Sequence, residues 1–180
     1  MDGMTMILDR RSVRKYKDKK VDRTIIKNII STALFAPSWA NYQIVRYTVL
    51  DDKNSVIQLG KEGVNGFLPN INTINNAAGL IILSVVTGKS GCGPDGNLIT
   101  SKGSTWEMFD AGIACQTFCL AAYEEGIGTV IMGVFDDEKI ANIINLPEDE
   151  TVVSVIAYGY EDNHPKATKR KSLEEVTRFI

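Results

Sequence analysis

The sequence predicts a mixed α/β fold in which helices alternate with about four strands. Apolar residues recur at helical spacing after Asp22, which can cap the first turn, and Pro37 ends this helix near Ala36. Residues 80–86 form a continuous apolar run, which is typical of a strand buried on both faces. Residues 106–125 have the length of a long helix, are apolar on most sides and stop at a glycine. This long helix is therefore predicted to lie in the core or in a subunit interface.

The other elements follow from shorter patterns along the chain. Asparagine and proline are frequent in residues 66–76, which predicts a loop or a broken helix. Residues 88–105 carry five glycines and one proline, and we expect a mobile loop there. Short β-branched runs predict strands, and apolar residues spaced as on a helix face predict helices. The predicted strands are 47–50, 80–86, 129–132 and 151–158, and the further predicted helices are 52–60 and 136–145.

The composition is that of one globular domain covering residues 1–180, with 44% apolar and 23% charged residues. A net charge of −2 argues against a nucleic-acid partner, whose binding surface is usually strongly basic. No apolar run has the length of a signal peptide or a membrane span, so no membrane association is expected. The three cysteines are an odd number, which favours a reducing compartment over a disulfide framework. We therefore expect a cytoplasmic protein.

Basic residues are concentrated near the two ends of the chain. Residues 10–23 hold eight of the twenty lysines and arginines, and residues 166–171 hold four more. Arginine offers a planar fork of donors that matches a phosphate group, so the segment Arg-Arg-Ser-Val-Arg at 10–14 suits a phosphorylated cofactor. The alternative is a solvated basic face with no ligand. The tail then ends in apolar residues, so we expect it to dock on another surface.

Several familiar motifs are absent or incomplete. Residues 91–96 match the pattern G-x-G-x-x-G, but the sequence after them does not begin a helix, so a dinucleotide site is not expected. Cys115 and Cys119 can share a helix face, yet the only histidine is His164, so neither a metal site nor a cysteine nucleophile is predicted. Asp110 lies within the apolar helix, and we interpret it as a structural carboxylate satisfied by a cap or an arginine.

Short motifs nevertheless follow one another in a fixed order along nearly the whole chain. They are Arg-Arg-Ser-Val-Arg at 10–14, Ala-Pro-Ser-x-x-Asn-x-Gln at 36–43, Asp-Ala-Gly-Ile-Ala-x-Gln at 110–116, a glycine-bearing turn at 126–135, a closing strand at 146–160 and a basic motif at 169–176. In this order they resemble the nitroreductase family of FMN-dependent oxidoreductases. Two positions depart from the family pattern, since Ile44 and Ser172 stand where proline is common.

The resemblance implies a mostly antiparallel central sheet of about four to five strands flanked by helices, in an intertwined homodimer with FMN at the subunit interface. It implies an enzyme in which NADH or NADPH reduces FMN, and the reduced flavin then passes electrons to a small oxidised acceptor such as a nitroaromatic or a quinone. This order of events is ping-pong turnover. Alternatives on the same fold are dehalogenation, dehydrogenation, or a flavin-binding or flavin-sensing protein with little turnover.

The resemblance also assigns the cofactor contacts. The basic ends would hold the phosphate, Ser12 would donate to the phosphate or the ribityl chain, and Arg14 would reach the N1/O2 edge of the flavin ring. Residues 37–43 would come from the other subunit, and the backbone at 131–133 would pass the ring with one amide facing N5. No catalytic side chain and no metal ligand is implied, because the flavin performs the chemistry. The implied cofactor-binding residues are Arg10, Arg11, Ser12, Arg14, Pro37, Ser38, Asn41, Gln43, Asn70, Thr73, Ile131, Met132, Gly133, Lys169 and Arg170.

Overall fold

The computed structural model describes residues 2–180 as a four-stranded antiparallel sheet with helices on both faces. The strand order is β1-β2-β4-β3, so β2 and β4 are central and β1 and β3 are the edges. The elements are α1 Gly3–Asp9, α2 Arg23–Ala33, a 3-10 helix Trp39–Asn41, β1 Val45–Leu50, α3 Lys53–Glu62, α4 Leu68–Asn76, β2 Gly79–Val86, α5 Thr105–Glu124, β3 Gly128–Met132, α6 Asp137–Ile144, β4 Glu150–Gly159 and α7 Leu173–Val176.

Two apolar clusters form on the two faces of the sheet. Helices α2 and α5 pack on one face, where Ile29 and Phe118 meet Ile81 of β2. Helices α3, α4 and α6 supply the other cluster, in which Leu59 and Ile140 pack with the strands. Because both faces are covered, β2 is buried from residue 79 to residue 85. The sheet is therefore the middle layer of a three-layer molecule.

The structure confirms the mixed fold class and the antiparallel sheet, and it places four strands where the sequence predicts them. It corrects the prediction at residues 66–76, since α4 is a regular helix from Leu68 to Asn76. Pro69 stands in the first turn, where the missing N–H is not needed, and Ile74 is fully buried against the sheet. Helix α2 ends at Ala33, three residues before the predicted end, and the short helices α1 and α7 were not predicted.

The segment that follows α1 covers the outer edge of strand β3. Ser12 pairs with Thr129 as an isolated bridge, and the Val13 N–H donates to the Thr129 carbonyl at 2.9 Å. Two glycines allow this close approach: an added Cβ at Gly128 would lie 2.8 Å from Val13, and one at Gly159 would lie 2.9 Å from Tyr16. The arginine-rich segment is thus fixed against the sheet by its apolar neighbours.

The side chain of Tyr16 also holds this segment against the sheet. Its buried hydroxyl donates to the carbonyls of Val13 and Ala157, at 2.6 and 3.1 Å. Burial raises the pKa of Tyr16 well above its ordinary value, and the nearby charge of Arg14 only partly offsets this effect. The phenol therefore stays a neutral donor at pH values at which an exposed tyrosine would already ionise.

Replacing Tyr16 by phenylalanine is expected to lower the free energy of unfolding by about 1–3 kcal/mol, because two buried carbonyls lose a shared donor. Urea unfolding of both proteins measures the difference. Tyr42→Phe is the matched control, since the Tyr42 side chain is partly exposed to solvent and should contribute little. Equal stability of wild type and Tyr16→Phe would contradict the role given to this hydroxyl.

No helix within residues 2–180 combines the length and the apolar character that crossing a membrane would require.

Candidate functional site

The arginines at the start of the chain carry donors that the protein itself leaves unused. The side chains of Arg10 and Arg11 are half-buried, and the Nε atom of each is buried with no hydrogen-bond partner within residues 2–180. Arg11 uses one terminal nitrogen on the carbonyls of Leu8 and Arg10, and Arg14 Nη1 donates to the Ser12 carbonyl at 3.3 Å. A buried guanidinium N–H without an acceptor is unfavourable, so this segment suits an anionic ligand.

The end of strand β3 lies next to these arginines and has an open edge. The carbonyl of Thr129 points to this edge, where it accepts the N–H of Val13. Because the direction of the backbone groups repeats every two residues along a strand, the N–H and carbonyl of Ile131 point to the same edge. The Ile131 side chain is 47% exposed, whereas Met132 is buried in the core. A Cβ at Gly133 would meet no atom within 4 Å. The backbone at residues 131–133 is therefore open to a flat ligand.

Helix α4 supports the same region. The Asn70 amide donates to the carbonyl of Val134 at 2.9 Å, and Asn76 donates to the carbonyl of Arg14 at 3.4 Å. Thr73 is 4% exposed, and its hydroxyl donates to the carbonyl of Pro69 one turn earlier in the same helix. The bonds of Asn70 and Asn76 hold the chain after β3 and after the arginines in place. A direct cofactor contact of Asn70 or Thr73 stays a prediction.

A second polar group is formed by residues 37–43, and no hydrogen bond within residues 2–180 joins it to residues 10–14. Three of its non-glycine residues adopt left-handed backbone angles: φ is 45° at Ala40, 56° at Asn41 and 50° at Gln43. The Ser38 hydroxyl accepts the N–H of Gln43 at 2.9 Å. Pro37, Asn41 and Gln43 are exposed. Strained backbone of this kind persists only where neighbouring groups hold it, and it is common at ligand sites.

Asp110 of helix α5 is the group that holds this strained segment. The residue is 2% exposed, and its two carboxylate oxygens accept the backbone N–H of Trp39 at 3.1 and 3.0 Å. It also accepts the hydroxyl of Ser90, at the start of the glycine-rich loop. The sequence predicted a structural carboxylate with a cap or an arginine as partner. The structure shows the first of these two partners: Asp110 caps the N–H at the start of a distant 3-10 helix, and sequence spacing does not reveal which helix it caps.

The glycine-rich loop is attached to helix α5 and to the second polar group. The Trp39 indole donates to the carbonyl of Cys92 at 3.0 Å, and Glu107 accepts the N–H of Gly88 at 2.6 Å. Residues 88–104 contain turns and one isolated bridge, and the next helix begins at Thr105. The glycine pattern at 91–96 therefore lacks the helix that a dinucleotide site needs. The mobility of this loop stays a prediction.

The C-terminal basic residues are exposed and lie on the irregular tail. Arg170 Nη1 donates to the hydroxyl of Thr168, and Lys169 is open to solvent. Within residues 2–180 the structure gives neither side chain a hydrogen bond to residues 10–14. The tail ends in exposed apolar residues, among them Phe179. Convergence of Arg10 and Arg170 on one phosphate thus stays a prediction.

Helix α5 also presents an uncovered apolar face. Phe109 is 57% exposed and Met108 is 46% exposed. A Cβ at Gly112 would meet nothing within 4 Å. A shallow groove of about 570 Å³ runs along this face, lined by Met108, Phe109, Gly112, Ile113, Gln116 and Thr117. An apolar helix face of this length is typical of a surface that another protein covers.

Side chains suited to nucleophilic or metal chemistry do not gather at this site. The three cysteines are buried and free, and a hydrogen bond with Cys119, together with burial, raises the pKa of the Cys115 thiol. His164 lies in the polar tail, 3.3 Å from the carboxylate of Glu161. Within residues 2–180 no group of three His, Cys, Asp or Glu residues is placed to hold a metal ion.

Comparison with known proteins identifies the family. The model of the nitroreductase family matches residues 7–160. A protein of Archaeoglobus fulgidus named as an NADH dehydrogenase/NAD(P)H nitroreductase is 27% identical over 161 residues, which are 87% of this chain and 84% of the relative. An FMN-dependent nitroreductase from Clostridium difficile superposes with a TM-score of 0.78 at 25% identity, covering 98% of both chains. A protein of Exiguobacterium sibiricum, described as a nitroreductase in complex with FMN, gives a TM-score of 0.83 at 19% identity, with 100% and 98% covered.

The family match thus places this chain among the oxidoreductases. The chain belongs to the nitroreductase family, as the resemblance of its motifs predicted.

Proposed function

We propose that this protein is an FMN-dependent NAD(P)H oxidoreductase. The observation that supports this most directly is the pair of buried, unpartnered Nε atoms of Arg10 and Arg11 beside the open edge of β3. These are the donors that a phosphorylated cofactor would satisfy. When bound, FMN supplies two-electron chemistry, taking hydride from a nicotinamide and giving it to an oxidised acceptor.

The basic residues bind and tune this cofactor. Arg10, with Arg11 and the tail residues Lys169 and Arg170, supplies positive charge for the phosphate. Ser12 donates to the phosphate or to the ribityl chain. Arg14 is assigned to the N1/O2 edge of the ring, where reduction places negative charge that a guanidinium stabilises. Its exposed position one residue beyond Val13 leaves its side chain free to reach a ligand on the β3 edge.

The strand edge orients the ring. The backbone of residues 131–133 offers amide N–H groups at an open edge, and one of them is proposed to face N5, the atom that exchanges hydride. No general base is required for this transfer, which agrees with a chain that has a single histidine in its tail. Asn70 holds the backbone after β3, and direct contact with the cofactor is proposed for the polar atoms of Asn70 and Thr73.

The active unit is proposed to be a homodimer of the single domain 1–180, with FMN at the subunit interface. The uncovered apolar face of α5 and the exposed apolar tail are the surfaces that the second copy would bury. Pro37, Ser38, Asn41 and Gln43, which form a separate exposed group in one chain, would then complete the site of the partner. The free cysteines favour a reducing compartment such as the cytoplasm.

NADH or NADPH and the acceptor are proposed to use the same open face in turn, which gives ping-pong kinetics. A nitroaromatic compound or a quinone suits this face, because a flat acceptor can stack on the exposed face of the flavin ring.

The test is spectroscopic. We expect the purified protein to take up about one FMN per chain and to appear yellow, since each chain supplies one strand edge and one arginine segment. NADH or NADPH added without oxygen should bleach the flavin band, and a quinone or nitroaromatic should restore it. Initial rates at several fixed acceptor concentrations should give parallel double-reciprocal lines. A protein that binds no FMN would refute the proposal, and one that stays yellow under both nicotinamides would support a flavin-binding role without turnover.

A further inference from the structure

Asp110 is a buried carboxylate without a cationic partner. It is 2% exposed, and within residues 2–180 no lysine or arginine forms an ion pair with it. Burying a charge is unfavourable unless donors replace the lost water. At Asp110 these donors are the N–H of Trp39 and the hydroxyl of Ser90. Asp110 therefore lies on an apolar helix face, and the two groups that donate to its carboxylate both lie outside that helix.

The contact to Trp39 fills a gap at the start of the 3-10 helix Trp39–Asn41. The first N–H groups of any helix have no partner within it, and a side chain at the preceding residue often accepts one of them. Here the preceding residue, Ser38, makes no such cap, because its hydroxyl accepts the N–H of Gln43. The carboxylate of Asp110 takes over this cap from 71 positions further along the chain.

The segment that Asp110 caps contains the strained, left-handed backbone. Ala40 and Asn41 follow Trp39 directly with φ values of 45° and 56°. Side-chain-bearing residues leave the left-handed region unless surrounding contacts hold them there. The carboxylate fixes the backbone immediately before these two residues. Without it, the backbone N–H of Trp39 has no acceptor within residues 2–180, and the segment is free to relax.

We propose that Asp110 is a positioning residue for the flavin site: it sets the backbone conformation in which residues 37–43 meet the cofactor bound by the partner chain. The expected effect of Asp110 on FMN binding rests on the proposed function. Its effect on the backbone does not, because that effect is measurable in protein without cofactor.

The experiment uses the Trp106→Phe variant as the parent, so that Trp39 is the only tryptophan. Two quantities are measured in the full-length protein: the fluorescence emission maximum of Trp39 without FMN, and the dissociation constant of FMN by titration of flavin fluorescence. Asp110→Ala is expected to move the emission to longer wavelength, because the segment opens to water. It is also expected to raise the dissociation constant at least about tenfold, equal to about 1.4 kcal/mol.

Two further variants separate positioning from general stability. Asp110→Asn keeps an oxygen that can accept the Trp39 N–H, so its FMN dissociation constant should stay within about threefold of the parent. Glu107→Ala removes the acceptor for Gly88 one turn earlier on the same helix face. It should lower the melting temperature as Asp110→Ala does, while the emission maximum of Trp39 does not move and the FMN dissociation constant stays within about twofold of the parent.

The inference is overturned if Asp110→Ala leaves the Trp39 emission or the FMN affinity unchanged, or if Glu107→Ala weakens FMN as much as Asp110→Ala. If the alanine variant does not fold, Asp110→Leu takes its place, since leucine has a similar branched shape and no hydrogen-bond acceptor. The Trp39 emission maximum and the FMN dissociation constant of that variant then decide. A parent that binds no FMN refutes the proposed function, and the emission data then still show whether Asp110 holds the segment.

Discussion

Replacing Arg10 by alanine is expected to abolish retention of FMN during purification. The Arg10 side chain is half-buried, and its Nε has no acceptor within residues 2–180, so its donors are free for a ligand. Two charge-assisted hydrogen bonds to a phosphate are worth roughly 3–5 kcal/mol together, which predicts a rise in the FMN dissociation constant of at least about a hundredfold. Titration of the apoprotein with FMN, followed by flavin fluorescence, measures this change.

Two further variants test whether the loss of FMN affinity comes from the guanidinium of Arg10. Arg10→Lys keeps the charge but loses the planar fork, so we expect an intermediate affinity. Arg23→Ala removes an exposed arginine of α2 whose guanidinium is paired with Asp51, and should change FMN affinity by less than about threefold. If Arg10→Ala and Arg23→Ala bind FMN equally well, Arg10 does not hold the phosphate.

Phe109→Asp is expected to split the proposed homodimer and to release FMN with it. Phe109 is 57% exposed at the centre of the apolar face of α5, beside the open space above Gly112. A carboxylate there would be buried against apolar groups of a second copy, and the dimer dissociation constant should rise at least about a thousandfold, equal to about 4 kcal/mol. Sedimentation velocity over a concentration series measures the assembly, and flavin absorbance of the same samples measures the cofactor.

The matched control for this prediction is Ile57→Asp on helix α3. Ile57 is also an exposed apolar residue on a helix, at 44%, but it lies on the opposite face of the sheet from α5. This variant should remain dimeric and yellow. A wild-type protein that sediments as a monomer while it retains FMN would contradict the proposal that the site needs two chains.

Much of the fold could be predicted because the strands carry strong local signals. The run of residues 80–86 is apolar throughout and can only be buried on both sides, and Asp22 marks the start of α2 by capping it. Helix α4 could not be predicted in this way, because its asparagines are poor helix formers and its stability comes from Ile74 packing on the sheet. Tertiary burial outweighed local propensity there.

In the candidate site, too, the sequence predicted the features that depend on neighbouring residues and missed those that depend on distant ones. The arginines at 10–14 were visible in the sequence because several charges lie within a few residues. The role of Asp110 was not visible, because its partners Trp39 and Ser90 lie 71 and 20 positions away, and only the folded chain brings them together. The left-handed backbone at Ala40 was equally hidden, since alanine gives no local sign of it.

The two glycines beneath Val13 and Tyr16 restrict how this protein can be altered by directed evolution. Gly128 and Gly159 are not among the proposed cofactor-binding residues, yet any larger residue there would collide with Val13 or Tyr16, which fix the arginine segment. Libraries aimed at a new acceptor should therefore leave both codons fixed, although the positions look remote from the chemistry. Gly133 is better left unchanged as well, because the free space that an added side chain would enter is the space proposed for the flavin ring.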